Sequence, residues 1–290
     1  MWGPADLTFR PLATFQEVQA CVKLQEEVWG AGFLEKVPPS LLLLANELGG
    51  LAAGAFDPGG ELQGFVFGLA GWVDGQLVHW SDMSAVRREL RDRGLGTRLK
   101  LYQREVMLAR GVRRMHWSFD PLQGRNAYLN FSKLGIVCRE YRLDMYGETG
   151  SFLHRGVGTD RMVATWEMDS RRVEGRLEGS CRAPGWEDVL GLPRVVGVRE
   201  KEGLVEPVPA SLELDDPWLV VPVPTDFQEM MVDHLPLAVR WREVTREAFV
   251  HYLSHGYEVR EFVRGAGVSG YLLAGPARER EEPAGCGGHE

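Results

Sequence analysis

The chain of 290 residues is 44% hydrophobic and 26% charged, ordinary globular composition at a length where two domains are expected. Lys and Arg number 33 against 41 Asp and Glu, a formal net charge of -8. This argues against a general nucleic-acid or anionic-membrane surface and leaves small molecules or proteins as partners. Cys21, Cys138, Cys181 and Cys286 stand far apart with no Cys-x-x-Cys pair, so neither a disulfide framework nor a zinc site is expected, and a reducing cytoplasm fits. The first residues hold no basic stretch before an apolar core, and the apolar run from Phe65 to Val73 is too short to cross a bilayer. Neither a signal peptide nor a transmembrane helix is expected.

The elements follow in chain order. Leu7 to Pro11 alternates like a short strand, and Thr14 with Glu17 forms a capping box ahead of an amphipathic helix carrying Val18, Cys21, Val22, Leu24, Val28 and Trp29. Pro38-Pro39-Ser40 opens a second helix through Leu48, closed by Gly49-Gly50. Three strands follow, at 51–56, 61–72 and 77–86, separated by Pro58-Gly59-Gly60 and Asp74-Gly75 turns. From Gly94 the period becomes helical, with Leu95, Leu99, Tyr102, Val106 and Ala109 on the expected buried face, and Gly111 ends it. A strand at 114–119, a helix from about Asn126 to Leu134, and strands at 136–141 and 162–168 complete the order β-αα-βββ-α-β-α-ββ.

Residues 1–169 are therefore expected to form one domain, and 170–216, rich in charge, Gly and Pro, a linker or extended connection. A smaller α/β region follows at 217–275, with a strand, a helix from about Leu237 to His255 and two strands; 276–290 is expected to be a disordered tail. Gly135-Ile136-Val137-Cys138-Arg139-Glu140-Tyr141 and Gly256-Tyr257-Glu258-Val259-Arg260-Glu261-Phe262 echo each other. The later region reads either as a repeat of the strand-helix-strand-strand half of the first or as a coincidence, since Gly after a helix is common.

The densest chemistry lies between Val86 and Leu99, where Arg87, Arg88, Arg91, Arg93 and Arg98 surround Gly94 and Gly96 at a strand-to-helix junction. The first turn of a helix has backbone N–H groups without partners, glycines let a pyrophosphate approach them, and arginine adds bidentate hydrogen bonds. A Rossmann fingerprint is not met, because Leu99 takes its third glycine position, and no Gly-Lys-Ser or Gly-Lys-Thr supplies a Walker loop. A merely solvated arginine-rich helix start would set positive charge against the helix dipole.

Arg91-x-x-Gly94-x-Gly96, at the end of the fourth strand, resembles the pyrophosphate loop of the GNAT superfamily of N-acetyltransferases. The resemblance covers about residues 5–168. It implies an α/β fold with a mixed, mostly antiparallel central sheet flanked by helices. It further implies an acyl-CoA co-substrate, no metal, and direct transfer of an acyl group to an amine in a ternary complex. The Ala85 and Val86 backbone is expected to align the thioester, and Arg93, Gly94, Leu95, Gly96, Thr97 and Arg98, together with Arg91, to hold the pyrophosphate. A narrower likeness, carried by Asp120-Pro121-Leu122, Arg125 to Asn130, Lys133-Leu134-Gly135, Tyr146-Gly147-Glu148, Asp160-Arg161, Trp166-Glu167 and the stretch from Leu237 to Tyr257, is to a largely uncharacterised bacterial branch with a C-terminal extension, which suggests acetylation or succinylation of an amino acid.

Where the family keeps an acid tyrosine this chain has Phe131. Tyr128, three residues earlier on roughly the same helical face, is the candidate replacement, with core packing as the alternative. Asn126 is the candidate CoA contact, two residues out of the family's register. Asp82, on the fourth strand, is the candidate base, with a solvent-facing residue as the alternative and His79 as the rival on the opposite face unless a bulge intervenes. Glu26, Glu27 and Trp29 mark the expected acceptor end. His251 and His255 have metal spacing without a third ligand. Arg242 and Arg246 are candidates to meet an anionic acceptor, or to form salt bridges. The expectation is a cytoplasmic acyltransferase acting on a small-molecule amine; the alternative is a CoA-binding or structural protein that has lost catalysis, and the oligomeric state is open, with a homodimer among the options.

Overall fold

The computed structural model describes residues 6–147, 149 and 156–276. Residues 1–5, Glu148 and the expected tail from 277 onward lie outside the described residues. The chain divides into two compact units, one formed by residues up to Trp117 together with 148–155, the other by 118–147 and everything from Gly156.

The first unit contains β1 (Thr8–Pro11), α1 (Phe15–Trp29), α2 (Pro39–Glu47), β2 (Leu51–Phe56), β3 (Leu62–Val73), β4 (Gln76–Val86), α3 (Leu95–Ala109) and the start of β5 (Arg114–Phe119). The strands lie in sequence order; β1 to β4 pair antiparallel and β4 pairs β5 in parallel. The capping box forms as expected: Glu17 N–H donates to Thr14 Oγ1, and the Glu17 carboxylate accepts from the Thr14 and Ala13 N–H groups. Val18, Cys21 and Leu24 of α1 and Leu42 and Ala45 of α2 pack against Phe65 and Phe67 of β3 and Met83 and Ala85 of β4.

In β4 the register with β3 slips between Met83, opposite Phe67, and Ser81, opposite Gly68, leaving Asp82 as the extra residue of a bulge. The slip reverses the alternation of faces. Ser81 turns to α3, where its hydroxyl meets Gln103, whereas Met83 and Ala85 join the core on α1 and α2. The α3 face that is buried also differs from the expected one. Leu95 and Leu99 are buried, but so are Lys100, Gln103 and Met107, while Tyr102 is only half-buried against Phe9 and Ala109 is exposed.

The second unit contains the end of β5, α4 (Gly124–Ala127) running straight into a π-helical turn (Tyr128–Lys133), β6 (Val137–Arg142), β7 (Arg161–Glu167), α5 (Arg171–Glu178), β8 (Val196–Lys201), β9 (Leu204–Ala210), β10 (Trp218–Pro224), α6 (Phe227–Asp233), α7 (Leu235–Ser254), β11 (Glu258–Val263) and β12 (Val268–Ala274). Its strand order is β7-β6-β11-β12-β10, with β8 and β9 as a separate hairpin. The stretch 170–216 is thus more than a connection: Ser170 caps α5, and Glu202 and Gly203, both with positive φ, turn the β8–β9 hairpin. Pro207 and Pro209 suit β9 because a two-stranded hairpin consists of edges.

The two echoing segments are β6 and β11, and they pair with each other, Cys138 opposite Val259. Counted from Gly135 and Gly256, these are equivalent positions. Each hairpin also slips register one residue further on, at Arg139 against β7 and at Arg260 against β12. The core of this unit is aromatic: Phe131 meets Phe119 and Tyr271 edge-on, Phe249 meets Tyr271, and Phe249 stacks on Tyr141. Cys21 and Cys138 are buried free thiols. Cys181 is disulfide-bonded, a correction to the expectation of separate thiols.

Candidate functional site in the first unit

A short 3-10 turn (Arg88–Leu90) carries the chain from β4 to Gly94, which holds φ 77° in the left-handed region and serves as N-cap of α3 without any side-chain hydrogen bond. The first turn closes when Arg98 N–H donates to Gly94 O, so the N–H groups of Leu95, Gly96 and Thr97 precede the intrahelical ladder. A Cβ built on Gly94 or Gly96 would meet nothing within 4 Å. Packing therefore does not demand glycine at 96; the open space in front of these N–H groups is what a side chain would take, and it suits a phosphate.

The arginines divide by their partners. Arg87 is tied down, donating to Leu62 O at 2.8 Å and to Glu27 at 3.0 Å. Arg98 lies over the Phe9 ring. Arg88, Arg91 and Arg93 are exposed around the helix start. The expected positive rim exists, but Arg87 does not belong to it, and Glu27 serves as its counter-ion.

Beside this rim the sheet opens. The β4–β5 ladder pairs Val78 with Arg114, His79 with Met115 and Trp80 with His116. Beyond Trp80, β4 continues to Val86 without a β5 partner in that ladder. An extended chain carrying amides can enter such a fork and use the strand groups that the missing partner leaves. Ala85 is buried with its side chain in the core and Val86 is half-buried, so along this stretch the backbone, rather than these side chains, is available to a ligand.

Asp82, the bulged residue, is exposed to solvent. Desolvation raises its carboxyl pKa, a hydrogen bond from Trp80 opposes this, and the Glu35 charge adds to the rise. His79 is fully buried, and burial with the Lys100 and Arg110 charges pushes its pKa down to about 3, so it is a neutral core imidazole and not a rival base. Glu26 pairs with Lys36 at 2.7 Å, and Trp29 stacks on Phe33.

The remaining candidates lie in the second unit. Tyr128 sits at the start of the π-helical turn with the Arg264 guanidinium 3.8 Å and the Lys133 ammonium 5.6 Å from its ring centroid. Asn126 is exposed on α4. Phe131 is a fully buried core residue. Arg242 and Arg246 are spent on carboxylates: Arg242 binds both oxygens of Asp120 at 2.9 and 2.8 Å, and Arg246 binds both of Asp160 at 2.7 and 2.9 Å. Burial pushes the Asp120 carboxyl up, but the Arg242 charge and hydrogen bonds outweigh it and hold the pKa below the ordinary value. Of the two alternatives the sequence left open for these arginines, the salt bridges are the one that forms, because the fold puts Asp120 and Asp160 beside them. His251 and His255 stack on each other, and among the described residues no three His, Cys, Asp or Glu side chains gather as a metal site.

One polar group of the first unit, formed by Ser81, Lys100 and Gln103 with His79, is absent from the sequence expectations. Lys100 and Gln103 stand at i and i+3 inside the buried stripe of α3, an internal charge at helical spacing that could have marked them.

No family model and no curated protein matches this sequence. Among solved structures, the chain is similar to the ribosomal-protein-S18-alanine N-acetyltransferase from Escherichia coli, with 15% identity and a TM-score of 0.45 over 57% of this chain and 95% of that one. It is also similar to an acetyltransferase of the GNAT family from Streptococcus pneumoniae, with 18% identity and a TM-score of 0.44 over 55% and 98%. A third is a putative acetyltransferase from Salmonella typhimurium with its cofactor acetyl-CoA, with 14% identity and a TM-score of 0.44 over 57% and 95%. Among the described residues no helix is long and apolar enough to cross a membrane.

Proposed function

We propose that this chain is an acyl-CoA-dependent N-acyltransferase of the GNAT kind, transferring an acetyl or succinyl group to the amine of a small molecule such as an amino acid. One observation carries the reading: the uncapped, glycine-opened start of α3 stands beside a β4 that loses its β5 partner after Trp80. Pyrophosphate needs the first feature and an amide-bearing arm needs the second; few other ligands need both.

In this reading the Leu95, Gly96 and Thr97 N–H groups, with Arg91, Arg93 and Arg98, hold the pyrophosphate. The Ala85 and Val86 backbone lines up the arm. Asp82 accepts the proton of the incoming amine, a task suited to a carboxylate whose pKa is raised. As the neutral amine nitrogen bonds to the thioester carbon it gives up that proton to Asp82, the carbon–sulfur bond breaks, and Tyr128 protonates the departing thiolate; Asn126 contributes a CoA contact. We further propose a cytoplasmic setting, where CoA thioesters are at hand, and an origin of 217–275 as a partial repeat, supported by the matched registers of β6 and β11.

The runner-up is a CoA-binding protein without catalysis, favoured by the burial of Phe131 where the family keeps its acid. Thiol release from acetyl-CoA and succinyl-CoA, measured against amino acids, polyamines and aminoglycosides, separates the two. Turnover with any amine supports the enzyme, and Tyr128→Phe should then lower it about ten- to a thousandfold while CoA binding persists. CoA binding without thiol release from any pair supports the runner-up.

A further inference from the structure

At the point where β4 and β5 part, one side chain touches both strands. The Lys100 ammonium donates to Ser81 Oγ at 2.6 Å and to Gln103 Oε1 at 3.4 Å, and lies 4.1 Å from the centroid of the Trp117 ring. Ser81 and Trp117 are each the first residue past the last pair of the β4–β5 ladder, Trp80 with His116. The lysine thus closes the apex of the fork from the α3 side. Ser81 Oγ in turn donates to Gln103 Oε1 at 2.9 Å, and Gln103 Nε2 donates to His79 Nε2 at 2.9 Å. Gly68 leaves room for that imidazole, since a Cβ there would fall 2.3 Å from His79 Nε2.

This arrangement is expensive if its only task is to fill space. Lys100 is 6% exposed, and its partners are a hydroxyl, an amide and an indole, none of them an anion. Desolvation alone pulls its pKa down to about 7. A methionine would fill the same volume without a charge to desolvate.

We propose that Lys100 is a positioning residue of the acyl-CoA cleft, gripping Ser81 and Trp117 at the apex and so setting the width and the end of the slot that receives the pantetheine arm. The proposal rests on the acyl-CoA reading above. An arm that enters at Gly94 to Thr97 can run no further than the point where the strands rejoin. From Val86 back to Ser81 that is about 17 Å at ~3.4 Å per residue, a length suited to an extended pantetheine arm.

The grip depends on charge, because only the ammonium is attracted to the indole face. Of the groups around it, His79, whose pKa burial and the Lys100 and Arg110 charges push down to about 3, stays neutral throughout the neutral range; Lys100 is therefore the group that changes. Acyl-CoA binding should favour the protonated form and draw in a proton near neutrality.

Calorimetry of CoA binding to the full chain, in two buffers of different ionisation enthalpy and from mildly acidic to mildly alkaline pH, tests this. The expected result is proton uptake by the wild type and affinity that weakens as pH rises through about 7. Lys100→Met should bind about tenfold more weakly with neither effect, and Lys100→Arg should keep the affinity and lose the pH dependence. Ser81→Ala, which leaves the amine in place, should weaken binding in part, and the thermal midpoint of each variant reports whether it is folded. Wild-type affinity and wild-type proton uptake in Lys100→Met would overturn the role of Lys100 alone. A wild type that binds no CoA would overturn the acyl-CoA reading and this role with it.

Discussion

In the first unit Arg88, Arg91 and Arg93 stand exposed around a helix start that no side chain caps; in the second, Arg242 is 2% exposed and its Nη2 donates to both carboxylate oxygens of Asp120. Arginine runs look alike in a sequence, and here they serve opposite ends. Where carboxylates are folded in beside them, the guanidinium groups become internal joints. Where they stand exposed at an uncapped helix start, they can meet an anion from outside. The difference lies in the neighbours that the fold supplies, since Asp120 is 122 residues from Arg242.

The largest effect should come from breaking the joint. Asp120→Ala leaves Arg242 buried without its counter-charge and should cost about 3–5 kcal/mol in urea unfolding. A much smaller loss would mean that Arg242 reaches solvent and is closer in kind to Arg91. A chain cut near Ser170 keeps Asp120 and Asp160 but loses Arg242 and Arg246, and should aggregate.

On the open side the fold should tolerate what the ligand does not. Gly96→Val meets no protein atom, so its own unfolding free energy should stay near wild type. On the proposed reading CoA should stabilise the wild type by about 2.7 kcal/mol at a hundred times Kd, and this shift should vanish in thermal melts of Gly96→Val and of Arg91→Glu. Retention of the full shift by Gly96→Val would remove the helix start from the site. Gly94→Ala should differ from Gly96→Val by costing about 1–2 kcal/mol without ligand, because φ there is 77°.

The gentlest test uses pH. The unfolded chain protonates histidine near the ordinary 6.5, whereas native His79 does so only near 3. The stability this contributes is complete above 6.5 and drains away as pH falls toward 3. Urea midpoints should fall across that window, and fall less in His79→Gln. Lys100 acts higher, its contribution being lost as pH drops from 10.5 to about 7, so the two groups are separable.

Much of the first unit was legible because its signals are local. The Thr14–Glu17 capping box, the Asp74-Gly75 turn and the Gly94 helix start each depend on a few adjacent residues, and each forms where expected. The β8–β9 hairpin was missed because its prolines and glycines imitate a linker, and only pairing distinguishes an edge strand from an extended connection. The bulge at Asp82 was equally hidden: one unpaired residue turns Ser81 toward α3 and Met83 toward α1, and nothing in the local alternation announces it.

The sequence by itself determined the order of the elements from β1 to β7 and the glycine turn ahead of α3, since each is written in neighbouring residues. Only the tertiary structure decided which charges are free. It tied Arg87 to Glu27, shut Arg242 and Arg246 onto Asp120 and Asp160, and set Lys100 at the apex of the fork. The physical reason is that availability is a property of pairs and of burial, and the partners are tens of residues away along the chain in most of these contacts.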